Sequence, residues 1–216
     1  MRKFILLTLV CLSLEVFAQQ TFPSQVFHAG EVILNDGTRY RGLIQYDLGS
    51  DVILFREATA KGLATFNANQ FKTFKINQED VEKTRVFYTL PYREDNGYRR
   101  PKIFEALYQG ETSLVGREYI IERTRPISQG FARRSLYDPF YDPFDRRFTT
   151  KYLAYNLYLV DQKGGITILG KSRGDVIRAF EDHHSDLRKF IKQEKLKMNR
   201  IEDLTRLIRY YNSLNS

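Results

Sequence analysis

The chain has 216 residues, 42% hydrophobic and 28% charged, with 34 Lys+Arg against 26 Asp+Glu for a net charge of +8. That composition supplies a packed core and excludes a disordered chain, while the single cysteine, Cys11, excludes a disulfide framework or a cysteine metal centre in the rest of the sequence. The basic excess falls after residue 100, which permits anionic partners without choosing one.

Residues 1–18 read as a signal peptide: basic Arg2 and Lys3, the apolar run Phe4–Leu14, and a small-residue cleavage site at Val16-Phe17-Ala18. Cys11 lies inside that run with Val10 before it, where a lipidation motif wants a small residue. No later segment reaches the ~18 apolar residues of a membrane helix. The expectation is an exported, soluble chain of the periplasm or outer-membrane periphery, with no transmembrane segment in its mature form.

From residue 19 to 170 the pattern is an antiparallel β domain. Glu31–Leu34 and Arg39–Tyr46 flank Asn35-Asp36-Gly37, where Asp-Gly supplies the positive-φ residues of a tight hairpin. Val52–Arg56, Leu63–Phe66, Phe71–Ile76 and Thr84–Leu90 follow, short and rich in β-branched and aromatic residues. Lys102–Tyr108 and Ser113–Arg123 join at Gln109-Gly110-Glu111, and Tyr152–Val160 with Ile166–Leu169 form a last hairpin. About ten short strands imply a β-sandwich or open barrel.

The period changes in residues 171–216, a predicted helical cap. Ser172 and Asp175 form a capping box ahead of Val176, Ile177 and Phe180. A second helix is expected from Ser185, its N-cap, burying Leu187, Phe190 and Ile191. A third follows Asn199, with Ile201, Leu204, Leu207, Ile208 and Tyr211 at helical spacing. The fold class is therefore α+β, an antiparallel sandwich or open barrel followed by three short C-terminal helices. The closing helices also argue against an outer-membrane barrel.

Several motifs resolve to structure rather than chemistry. Gly165–Ser172 satisfies the phosphate-loop pattern, but its intervening Ile-Thr-Ile-Leu reads as a strand after a hairpin turn, leaving no anion-cradling loop. His183 and His184 adjoin acids, but adjacent side chains diverge and cannot converge on a metal. Glu118 and Glu122 share a strand face, opposite Arg117 and Arg123, and read as a solvated face. The basic run Arg188–Arg200 reads as the outer face of an amphipathic helix. With no catalytic constellation, the expectation is a non-catalytic protein without cofactor or metal.

The best functional candidate is the aperiodic stretch 125–151, read as a long loop. It repeats Tyr137-Asp138-Pro139-Phe140 as Tyr141-Asp142-Pro143-Phe144, bracketed by Arg133, Arg134, Arg146 and Arg147. Aromatic rings beside Arg are the chemistry of protein hot spots, and rings also stack on sugars. Tyr137, Phe140, Tyr141 and Phe144 are the expected anchors of a contact with another envelope component, with the four arginines tuning it. An envelope protein is the expected partner, a glycan-binding or glycan-active role the alternative, and anionic lipid a further option. Nucleic acid is disfavoured because no aromatic side chains interleave with the basic ones on the outer face of 188–200, Phe190 belonging to the other face.

The tail from Ser185, with its Lys195–Lys197 exit and closing Tyr210-Tyr211-Asn212, resembles a group of uncharacterised exported proteins of Bacteroidetes-type bacteria. The opening Gly30–Gly37 with Arg41–Ile44 is similar to their N-terminal hairpin. The resemblance implies export and a β region followed by a helical tail; it implies no activity.

Overall fold

The structure is a computed structural model, and it describes residues 22–57, 62–78, 82–94, 97–126 and 147–215. After a 3-10 turn at Pro23–Gln25 come ten strands: β1 His28–Leu34, β2 Arg39–Asp47, β3 Val52–Arg56, β4 Leu63–Asn67, β5 Phe71–Gln78, β6 Lys83–Arg93, β7 Arg99–Tyr108, β8 Ser113–Pro126, β9 Arg147–Val160 and β10 Ile166–Ile168. Helices α1 Arg173–Arg178, α2 His184–Gln193 and α3 Ile201–Leu214 follow. All strands form one antiparallel, open sheet in the order β10-β9-β8-β7-β6-β5-β1-β2-β3-β4.

The sheet is strongly curled. Four strands separate β2 from β8 in that order, so a flat sheet would hold them about 24 Å apart at the usual strand spacing. Tyr46 on β2 nonetheless donates to Glu118 on β8 at 2.5 Å. Glycine helps make the bend: Gly30 on β1 pairs with Gly42 on β2. A Cβ on Gly30 would lie 2.3 Å from the Lys75 carbonyl oxygen, and one on Gly42 2.4 Å from that of Arg56.

Inside the curl, inward side chains build the first core: Val32, Ile44, Ile53, Phe71, Phe74, Ile76 and Phe87 are essentially inaccessible. The Phe74 and Phe87 rings stack at 4.4 Å across the β5–β6 pair. On the same face, further along, Leu114 and Leu159 receive the helical cap through Val176, Ile177, Leu187, Ile191, Leu204, Leu207 and Ile208. Asn212 ties α3 to the β7–β8 turn, donating to the Thr112 carbonyl and accepting from the Thr112 amide, both at 2.9 Å.

Several sequence expectations change. In the first hairpin only Gly37 takes positive φ (92°), and Asp36 instead accepts from the Thr38 amide. The second helix begins at His184 with His183 as its cap, in a left-handed conformation at φ 53°, so Ser185 is not the N-cap. The stretch 125–151, expected to be a loop throughout, is strand at both ends: β8 runs to Pro126 and β9 starts at Arg147, paired residue for residue. The capping box at Ser172 and Asp175 forms as read, with Ser172 Oγ accepting from the Asp175 amide at 3.1 Å. Ile166–Ile168 is a strand antiparallel to β9, as the rejection of the phosphate loop required.

Candidate functional site

Two strands leave the sheet together. β8 and β9 pair along fourteen consecutive positions, Ser113↔Val160 to Pro126↔Arg147. β7 accompanies β8 only from Glu105↔Gly116 to Tyr108↔Leu114, and β10 accompanies β9 only from Tyr158 to Val160. From Arg117 to Pro126 and from Arg147 to Asn156 the pair is thus a two-stranded ribbon projecting past its neighbours.

The parting of β7 from β8 leaves backbone groups to be satisfied, and the β2–β3 turn does so. Asp51, at φ 54°, puts Oδ1 2.8 Å from the Ile103 amide as acceptor. Arg117 donates to Asp51 Oδ1 at 2.6 Å, to the Ile103 carbonyl at 2.8 Å and to the Leu48 carbonyl. Side chains take over the ladder at the split, as buried backbone polar groups require. The turn is itself braced by Asp47. Burial works against its charge, but hydrogen bonds from the Ser50 hydroxyl and the Gly49 and Ser50 amides outweigh that and hold its carboxyl below the ordinary range.

Beneath the split lies a buried charge cluster drawn from five strands. Arg85 on β6 grips Glu105 on β7 in a fork, Nε to Oε1 at 2.8 Å and Nη2 to Oε2 at 2.6 Å. The same guanidinium donates to Glu118 Oε2 at 2.8 Å and to the Tyr46 hydroxyl oxygen at 2.6 Å. Tyr46 and Tyr155 then donate to Glu118, at 2.5 and 3.1 Å. The Arg85, Glu105 and Glu118 side chains are at most 3% exposed. One guanidinium faces two carboxylates, so the tyrosine hydroxyls supply the donors that the excess negative charge needs.

This chemistry fixes protonation. Burial pushes the Tyr46 hydroxyl far above its ordinary value, helped by the Glu118 charge and opposed by Arg85. Burial likewise raises Tyr155, with the Glu105 charge adding to it. Burial disfavours the Arg85 charge, but Glu105, Tyr46 and Glu118 together outweigh it and hold the guanidinium more firmly protonated than usual. All four carboxylate oxygens already accept hydrogen bonds from Arg85 or a tyrosine. The cluster is thus a structural clamp between the curl and the base of the ribbon. The reading of Glu118 and Glu122 as a solvated face is corrected for Glu118, which is buried; Glu122 is exposed and pairs with Lys151 at 2.9 Å.

At the ribbon's base a cavity of about 340 Å³ is lined by Ser24, Leu48, Glu118, Ile120, Leu153 and Asn156. The ribbon exposes Tyr119 (37%), which also borders this cavity, and Tyr152 (41%), with Arg123 5.8 Å from the centre of the Tyr152 ring. Tyr119 pairs with Ala154 and Ile121 with Tyr152, so all four stand on one face.

Of the sequence-predicted site residues, Arg133, Arg134, Tyr137, Phe140, Tyr141, Phe144 and Arg146 lie outside the described residues, as does the predicted signal peptide. Arg147 is the first residue of β9. The histidines are engaged locally: His183 Nε2 is 3.1 Å from Asn215 Oδ1, and His184 Nε2 is 2.8 Å from the Phe180 carbonyl. Sequence reasoning missed Asp51, Arg85, Glu105 and the clamping role of Arg117. A signal existed for two of them, since Arg85 shares the inward phase of Phe87, and Glu105 that of Ile103.

Comparison of the chain with protein-family models, with curated proteins and with solved structures found no match.

Proposed function

We propose that this chain is a non-catalytic exported protein that binds another envelope component through the β8–β9 ribbon and the residues between its strands. The observation that supports the reading most is the ribbon itself. Its two strands run ten paired positions beyond the sheet, and it exposes Tyr119 and Tyr152 on one face. An isolated two-stranded ribbon is marginal in water, so one rooted in a charge clamp and bearing exposed rings suits a contact surface. The aromatic and arginine residues 133–147 are joined to both of its strands, and in this reading Tyr137, Phe140, Tyr141 and Phe144 anchor the partner.

Export by residues 1–18, residence in the periplasm or outer-membrane periphery, and kinship with exported Bacteroidetes-type proteins belong to the same proposal. So does an open-barrel rather than sandwich description, which the contact of β2 with β8 favours. The glycan-active alternative draws no support from Glu105 and Glu118, whose oxygens are occupied.

Replacing Tyr137, Phe140, Tyr141 and Phe144 together by Ser tests the reading. Recovery of envelope partners by the tagged protein should fall to background while its far-UV spectrum is unchanged. Full recovery by the folded variant would overturn it.

A further inference from the structure

A second surface, remote in sequence from the ribbon and independent of the function proposed for it, carries its own chemistry. The inner side of α2 is committed to the cap: Leu187 and Ile191 are inaccessible, and Phe190 stacks on Tyr210 at 4.1 Å. Its outer side is cationic. Arg188 and Lys192 stand one helical turn apart, and Lys195 follows just past the end of α2, on a left-handed residue at φ 52°. All three are exposed.

The nearby acids are spent on other cations. Asp186 pairs with Lys189 at 3.4 Å, Glu194 with Arg206 at 2.5 Å, and Glu202 with Arg200 at 3.8 Å. Among the described residues Arg188, Lys192 and Lys195 have no acidic partner within 4 Å. Arg188 and Lys192, at i and i+4, repel each other, and an anionic surface would relieve that repulsion. We infer that this face of α2 docks on an anionic phospholipid surface through the phosphate groups of the lipids.

Lipid fits better than nucleic acid. The aromatic rings nearest the row, Phe190 and Tyr210, stack on each other and are not offered for base stacking. The apolar side of the helix is buried, so the contact is electrostatic and lies on the membrane surface without insertion.

Sedimentation with vesicles tests the inference, comparing phosphatidylcholine alone with a mixture containing 30% phosphatidylglycerol, at low and at high salt. The protein should bind the anionic vesicles at low salt and release from them at high salt. The triple variant Arg188→Gln, Lys192→Gln, Lys195→Gln should bind about a hundredfold more weakly, at roughly fivefold for each removed charge. The variant keeps residues 1–21, so anything they add is common to both proteins and cancels in the comparison. The conservative variant Arg188→Lys, Lys192→Arg, Lys195→Arg should retain binding and so separates charge from fold. Equal binding to both vesicle types, or no loss in the Gln variant, would overturn the inference. So would retention of duplex DNA that is tighter than vesicle binding and is lost in the same variant. Replacing Tyr119 and Tyr152 by Ser should leave vesicle binding unchanged, so failure here and failure of the ribbon reading are distinguishable.

Discussion

Arg117 Nη1 stands 2.6 Å from Asp51 Oδ1, although β8 and the β2–β3 turn lie far apart in the strand order. The pair does what a strand would otherwise do. Where β8 parts from β7, the Ile103 amide and carbonyl lose their ladder partners, and Asp51 and Arg117 replace them. Side chains thus bridge the curl of the open sheet, and the ribbon is released at the same point.

Removing Asp51 leaves Arg117 and the Ile103 amide without their carboxylate. Asp51→Ala is expected to cost about 3 kcal/mol in urea denaturation, in the range for breaking one side of a largely buried pair. Asp51→Asn keeps an acceptor for Ile103 and tolerates positive φ, so it should cost about half as much. Equal losses in the two variants would show that the acceptor at Ile103 does not matter.

The Arg85 cluster should behave as a buried charge set. Arg85→Met strands Glu105 and Glu118 and is expected to cost about 3–5 kcal/mol. Replacing Arg85, Glu105 and Glu118 together by Met removes every charge and should recover part of that loss. If the triple variant is less stable than Arg85→Met, the cluster contributes through more than its charge balance.

The pH profile should fall at both ends. Tyr46 and Tyr155 have folded values raised above the unfolded value of about 10, so their contribution is complete below that pH and is lost as pH rises beyond it. Tyrosinate absorbance should rise in two phases, with the buried hydroxyls ionising only as the chain unfolds. On the acid side the direction reverses. Hydrogen bonds from Lys75 and Arg41 lower Glu31, those from Lys102 and Arg100 lower Glu94, and those from Ser172 lower Asp175. These contributions are present above about pH 4.5 and are lost as pH falls through the lowered folded values. Melting followed by circular dichroism from pH 6 to 2 checks this; a flat profile would contradict it.

The glycine bend is open to a direct check. Gly30→Ala and Gly42→Ala push a methyl group into backbone oxygen and should each cost about 1–3 kcal/mol. Gly62, whose Cβ would meet nothing within 4 Å, should accept Ala with little change.

Much of the architecture was legible in local pattern. Two-residue alternation marks strands such as Phe71–Gln78, where Phe74 and Ile76 face inward, and the Ser172–Asp175 spacing marks the first helix start; Phe71 is out of that phase and is buried through the register shift opposite Leu34. The curl was not legible, because contacts such as Tyr46 with Glu118 join residues far apart in the chain through the summed twist and bend of four intervening strands. For the same reason Glu118 read as solvated: alternation assigns it a face, but only the curl buries that face. His183 as a helix cap was hidden because it makes no side-chain capping hydrogen bond, the feature that a Ser, Thr, Asp or Asn cap advertises in a sequence. The ends of the supposed loop were hidden because cross-strand pairing, not composition, makes Arg125–Pro126 and Arg147–Lys151 strand.

The most direct measurement places a photo-crosslinking aromatic in place of Tyr119 or of Tyr152 on the ribbon, and of Tyr40 on β2 as a comparably exposed control, followed by irradiation of intact cells and mass spectrometry of the envelope fraction. Both ribbon positions are expected to capture one dominant envelope component that the Tyr40 position does not capture. Capture of the same mixture from all three positions, or no capture from the ribbon, would contradict a binding role for it.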